Sequence, residues 1–307
     1  MGSVVLSVDA ELAWGFVDHG EPPSDRVESG REGWRRLRRL CEAYDVPATW
    51  AVVAHLLHDE CDGRHDDHPI GPGWFARERG EWAERPDLTR GPELVEELRA
   101  SPVAHDIGCH TYSHVEFGAP GTTRAMAAAE LERSRALMDE WGIDGRSFVF
   151  PRNNVGHVDL LADYGFEVYR GRRPVERRSL PEKLRTVAVG DGRPPLVRPT
   201  VDDDGLVNLP ASLFLYSYEG LPLRATKPFV GDPVVELVER GLDAAAEGEG
   251  VLHLWLHPNN LVDDAAVERI EAVLRAVDER RDAVPVETMA EVAARRRPQR
   301  VRSETRD

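Results

Sequence analysis

His110-Thr111-Tyr112-Ser113-His114 sets two imidazoles four residues apart, directly after the apolar-ending run Val103-Ala104-His105-Asp106-Ile107-Gly108-Cys109. Presented where an element stops, such a pair closes on one metal ion. Eleven histidines in 307 residues yield roughly 0.4 accidental pairs of this spacing, so the motif needs support from elsewhere in the chain. Three other strand-like runs supply it by ending abruptly in polar residues. Val4-Val5-Leu6-Ser7-Val8 delivers Asp9 and Glu11, Phe148-Val149-Phe150 leads into Pro151-Arg152-Asn153-Asn154, and Val251 to Leu256 delivers His257-Pro258-Asn259-Asn260. Two histidines and one carboxylate, with the open positions left to water, suffice to hold Zn²⁺ or a similar divalent ion. That metal polarises a substrate carbonyl and makes water a competent nucleophile. The second carboxylate is then suited to take the water proton, and His257 to protonate a leaving nitrogen. Arg152 would hold the base ionised and oriented, since a nearby cation lowers a carboxylate pKa.

The elements that must position these groups alternate along the chain. Gly33 to Ala43 carries Trp34, Leu37, Leu40 and Cys41 at helical spacing, and Val46 to Ala54 resumes an extended apolar run, so the first strand opens a β-α-β unit. Further helices are predicted at 92–100, 122–141 (stopped by Gly142), 158–164, 234–246 and 264–277, with strands at 148–150, 166–169 and 251–256. This repeat predicts a parallel α/β barrel in one domain spanning 1–294, whose functional groups gather at the carboxyl ends of the strands. Residues 171–228, with prolines at 174, 181, 194, 195, 199, 210, 222 and 228, read as a long excursion over one face. The arginine-rich stretch 295–307 reads as a disordered tail. Plainer roles suit several other polar residues. His105 and Asp106 read as a structural turn pair, His253 as a packed core histidine and Cys109 as buried bulk. His55, His58, His65 and His68 read as surface or loop residues without converging partners, a loop metal site at 65–68 being the minor alternative.

Composition narrows the partners. With 55 acidic against 39 basic residues the net charge is −16, and only Lys183 and Lys227 are lysines. Such a chain lacks the positive face that nucleic acid or an anionic membrane requires. The excess carboxylate suggests adaptation to high salt, a GC-rich genome's arginine codons being the plainer explanation of the missing lysines. Three scattered cysteines form no C-x-x-C and no disulfide framework, which fits a reducing interior. The N-terminus has no basic segment or apolar h-region and no run of about 18 apolar residues exists, so neither an export signal nor a membrane span is expected. A cytoplasmic location follows as the expectation.

Taken together, Ser7-Val8-Asp9-Ala10-Glu11, Ala48-Thr49-Trp50, Asp106 to His114, Phe150-Pro151-Arg152-Asn153 and Leu254-Trp255-Leu256-His257-Pro258 resemble the polysaccharide deacetylase family, the NodB-homology or carbohydrate esterase 4 domain, over about residues 4 to 260. The resemblance implies a distorted (β/α)₇ barrel and metal-dependent removal of an acetyl group from an N-acetylated sugar. It implies Asp9 as base, Glu11, His110 and His114 as metal ligands, Arg152 as the arginine that orients the base, and His257 as general acid. Zn is the implied metal, with Co, Mn, Fe or Ni as alternatives. Many members carry adjacent aspartates where Ala10 here separates Asp9 from Glu11, so the exchanged assignment, Asp9 on the metal and Glu11 as base, stays open. The family's Phe-Arg-x-Pro is here Phe-Pro-Arg-Asn, and its aspartate-tryptophan motif has no match in 171–228. An intracellular sugar precursor fits better than a mature wall polymer. Two other functions stay in play: hydrolysis of cyclic amides or imides, and a non-catalytic carbohydrate-binding barrel.

Overall fold

Strand β1 (Ser3–Ala10) is buried along its whole length, as a parallel strand covered on both faces must be. In this computed structural model, which describes residues 2–172, 196–217 and 231–296, β1 lies between β2 (Thr49–Val52) and β9 (Val251–Leu256) and parallel to both. Beyond β2 the parallel ladder continues through β3 (Asp106–Cys109), β4 (Ser147–Val149), β5 (Val168–Arg170) and β7 (Val207–Asn208). Beyond β9 it continues to β8 (Leu213–Phe214), while the antiparallel β6 (Thr200–Val201) borders β7 and β10 (Val286–Glu287) pairs with β1. The sheet curls into a distorted (β/α)₇ barrel with its helices outside.

Strands β7 and β8 fall within 171–228, the segment read from the sequence as a long excursion over one face. Each is two residues long, too short to sustain a recognisable alternation, yet both join the parallel ladder. The rest of that segment, 173–195 and 218–230, and the tail beyond Arg296 lie outside the described residues. The predicted helix at 158–164 forms as a 3₁₀ helix, Val158–Tyr164, and the strand after it starts at Val168 and runs on to Arg170.

Alternation along β1 sends Val4, Leu6, Val8 and Ala10 outward to the helices and Val5, Ser7 and Asp9 inward. Inside, Val5, Ala51, Val149, Val168, Val207 and Val251 form an apolar floor sealed by the helix Met289–Arg296. Against this floor Asp106 accepts hydrogen bonds from Thr49 (2.9 Å) and Ser147 (2.6 Å), a structural role. Higher on the same inward faces come His253, Trp255 and Arg170, so the interior turns polar toward the strand ends. Outside, the helix Ser24–Ala43 buries Val27, Gly30, Trp34, Leu37 and Cys41 at three- and four-residue spacing, and Trp34 meets Trp50 at 5.2 Å. Full burial of each such apolar side chain contributes about 1.5–3 kcal/mol. Gly33 lets this helix approach the turn after β9: a Cβ there would sit 2.1 Å from the Pro258 carbonyl oxygen.

Candidate active site

Asp9 reaches the barrel mouth at the last inward position of β1 and is buried. Arg170, the last residue of β5, donates to it through Nη1–Oδ1 and Nη2–Oδ2, both 2.6 Å, and also through Nη1 to Ser7 Oγ at 3.1 Å. The guanidinium is itself fixed by Asn153 Oδ1, 2.9 Å from Nε, and by the Trp255 ring, whose centroid lies 4.6 Å from Cζ. Burial pushes the Asp9 carboxyl upward, but Arg170, His110 and His257 outweigh that and hold it below the ordinary carboxylate range.

Glu11 follows at the start of the 3₁₀ turn Leu12–Phe16 and faces two imidazoles: Oε2 lies 3.4 Å from His110 Nε2 and 3.0 Å from His114 Nε2. His110 Nδ1 lies 2.8 Å from the Val149 carbonyl, an acceptor only, so Nδ1 donates there and Nε2 points at Glu11. That Nε2 is fully buried and has no hydrogen-bond partner. Ligands about 2.0–2.1 Å from a tetrahedral ion stand roughly 3.3 Å apart, which is close to both spacings here. The three side chains therefore fit a divalent ion. Burial raises the Glu11 carboxyl, yet His257, His114 and His110 together bring it well below its usual range.

The loop carrying the histidines is held in an unusual shape. Thr111 and His114 adopt left-handed backbone (φ 62° and 65°), at a cost of about 1–3 kcal/mol each. Glu130, from the helix Arg124–Glu140, offsets this by accepting from Ser113 N (2.8 Å) and Ser113 Oγ (2.6 Å). Gly15 leaves room for the Glu11 carboxylate, since a Cβ there would stand 2.0 Å from Oε1.

His257 follows β9 on the inward face. Its Nδ1 lies 3.2 Å from Asn260 Oδ1, which leaves Nε2 at 3.6 Å from Asp9 Oδ2 and 3.9 Å from Glu11 Oε1. A cavity of about 150 Å³ opens here, lined by Glu11, Gly15, Phe16, Arg26, His114, Arg152, His257, Asn259 and Asn260.

Five of the six expected site residues, Asp9, Glu11, His110, His114 and His257, thus converge. Arg152 lines the same cavity but does not orient Asp9, which corrects that expectation. Its guanidinium is taken up by Asp18 and Glu116, with Nη1 2.9 Å from each, and its backbone is left-handed (φ 51°). Arg170 does the holding instead. The available signal was its place at the end of the run Phe166-Glu167-Val168-Tyr169, just before Gly171. His253 is a core histidine as expected, bonded to Ser7 Oγ at 2.8 Å and kept neutral by burial, which lowers its pKa to about 3. His55, His65 and His68 are not surface residues: all three are buried, and His55 and His65 converge with Cys61 and Glu78.

Residues 17–167, just under half of the chain, match the polysaccharide deacetylase family model. Among solved structures, a Mycobacterium smegmatis protein assigned to the polysaccharide deacetylases is 17% identical with a TM-score of 0.63, over 96% of this chain and 89% of that one. The Puue allantoinase is 13% identical at a TM-score of 0.62 (95% and 89%). A Pseudomonas aeruginosa PAO1 protein assigned to the deacetylases is 15% identical, also at 0.62 (95% and 90%). At these identities the likeness establishes the fold. No curated protein matches the sequence.

Proposed function

We propose that the protein is a metal-dependent hydrolase that removes the acetyl group of an N-acetylated sugar or sugar precursor. The observation that carries this reading is the meeting of Glu11 with His110 and His114 at 3.4 and 3.0 Å, with Asp9 beside His257 and a cavity lined by Glu11, His114 and His257. Glu11, His110 and His114 would hold one divalent ion, with Zn²⁺ the choice that imidazole and carboxylate donors favour. Bound there, it supplies Lewis-acid polarisation of the acyl carbonyl and a lowered water pKa. Asp9, kept ionised and aimed by Arg170, takes the proton that water gives up as its oxygen adds to the acyl carbon. His257 Nε2 delivers a proton to the amine nitrogen as the carbon–nitrogen bond breaks, and Asn260 keeps that nitrogen turned to the cavity. Acetate and the free amino sugar are the products.

The test is acetate release from N-acetylhexosamine conjugates and sugar nucleotides. Activity should vanish on chelation and return with Zn²⁺ or Co²⁺, and E11Q and H114A should each abolish it. Metal-loaded protein that releases no acetate from any of these substrates overturns the reading. A second reading is hydrolysis of a cyclic amide or imide, which would use the same attack of water on a carbon–nitrogen bond. Product analysis with ureide-type substrates separates the two. Among the described residues no helix is long and apolar enough to cross a membrane.

A further inference from the structure

We propose that His55, Cys61, His65 and Glu78 form a second metal site, a structural Zn²⁺ centre that shares no residue with the candidate active site. One donor atom from each of the four lies within 4.8 Å of the others. His55 Nε2 stands 3.2 Å from Glu78 Oε1, His65 Nε2 3.3 Å from Glu78 Oε2, and Cys61 Sγ 3.5 Å from His65 Nε2. In a tetrahedron with bonds of about 2.0–2.1 Å to nitrogen or oxygen and about 2.3 Å to sulfur, the edges are roughly 3.3 Å between light donors and roughly 3.5 Å to sulfur. The His65–Glu78 and Cys61–His65 spacings match these values, while His55 faces the other Glu78 oxygen and all four donors stay within 4.8 Å of one another.

The donor chemistry agrees. One thiolate, two imidazoles and one carboxylate make a closed four-ligand set, and sulfur selects zinc over magnesium or calcium. Each imidazole is oriented through its other nitrogen, His55 Nδ1 by the Thr89 carbonyl (3.2 Å) and His65 Nδ1 by the Tyr112 hydroxyl (3.3 Å). His55 is wholly buried, and its Nε2 lacks a hydrogen-bond partner. Binding forms the Cys61 sulfur–zinc bond and releases the thiol proton to solvent.

The location gives the site its purpose. The connection from Asp59 to Arg90 contains only two one-turn helices, Ala76–Arg79 and Pro86–Thr89, so little regular hydrogen bonding holds it. Three of the four ligands come from this connection and the fourth from the turn after β2. The cluster also braces both halves of the candidate active site. The His55 ring lies 4.5 Å from Trp14, in the turn that Glu11 opens, while Tyr112 sits between His110 and His114.

The wild-type chain, stripped and reloaded with CoCl₂ or ZnCl₂, should bind two equivalents, and the cobalt form should show a thiolate-to-cobalt charge-transfer band. C61S should lose that band and one equivalent. E11Q should lose the other equivalent and keep the band, so failure of the active-site metal is distinguishable from failure of this one. Should C61S not fold, thiol modification of the wild type decides, because Cys41 and Cys109 are fully buried. Cys61 should be protected in zinc-loaded protein and react, one thiol per chain, after chelation. A cobalt form without the band, or Cys61 equally reactive with and without zinc, overturns the proposal.

Discussion

Arg170 grips Asp9 by both carboxylate oxygens, each at 2.6 Å, from a position wholly inside the barrel. Removing one partner of a buried pair strands the other charge, so R170M should cost roughly 3–5 kcal/mol in urea unfolding and lose most hydrolytic activity. R152M breaks only the contacts to Asp18 and Glu116 and should cost about 1 kcal/mol or less. Equal losses in the two variants would remove the distinction drawn between these arginines.

Acid should weaken the fold in two stages. Burial keeps His253 near 3 and, as the main cause, His58 and His105 near 4, against about 6.5 for an unfolded histidine. Between those limits the unfolded chain binds more protons, so stability rises with pH from about 4 to about 6.5 and then levels. Asp9 and Glu11, both depressed, add stability that is present above their unfolded values of 3.8 and 4.5 and is lost as pH falls through their folded ones. H253Q should flatten the upper slope by about 1.4 kcal/mol per pH unit, read from urea midpoints between pH 4 and 6. An unchanged slope would place His253 outside this account.

G15A tests the seat of Glu11. The added methyl must displace a carboxylate oxygen 2.0 Å away, so affinity at the Glu11, His110 and His114 site should fall roughly 10-fold or more. Competition with a chromophoric chelator measures this, and wild-type affinity in the variant would show that Glu11 need not occupy that seat.

His257 offers a leaving-group test. As general acid it should contribute about 10²–10⁴-fold to amide cleavage, so H257Q should lose that much acetate release. An activated aryl acetate, whose leaving group needs no proton, should be cleaved by H257Q nearly as well as by wild type. If both substrates suffer alike, His257 does something other than protonate.

A net charge of −16 predicts that salt stabilises the chain through screening of carboxylate repulsion. Tm should rise from low to molar KCl. Many arginines sit in exposed pairs, such as Arg85 with Glu28 and Asp87, which salt weakens, so a flat or falling Tm would show that pairing outweighs repulsion.

Asp9, Glu11, His110, His114 and His257 were legible in the sequence because each stands where an apolar run ends, and parallel strands point such ends at one cavity. Arg170 was not singled out, because an arginine after a short strand is usually solvated and its partner lies 161 positions earlier. The long helices were legible from their periodicity, as with Arg124–Glu140 before Gly142. The two-residue strands β7 and β8 offered no period to detect. Glu78 belongs to a one-turn helix that no pattern marks, so the companions of His55 emerged only in three dimensions.

The close seat of Gly33 against Pro258 ties an outer helix to His257, its neighbour in sequence. With no side chain to cushion the contact, any drift of that rod is passed directly to the turn that begins beside His257. Heat that loosens this surface segment should silence turnover while the barrel is still standing.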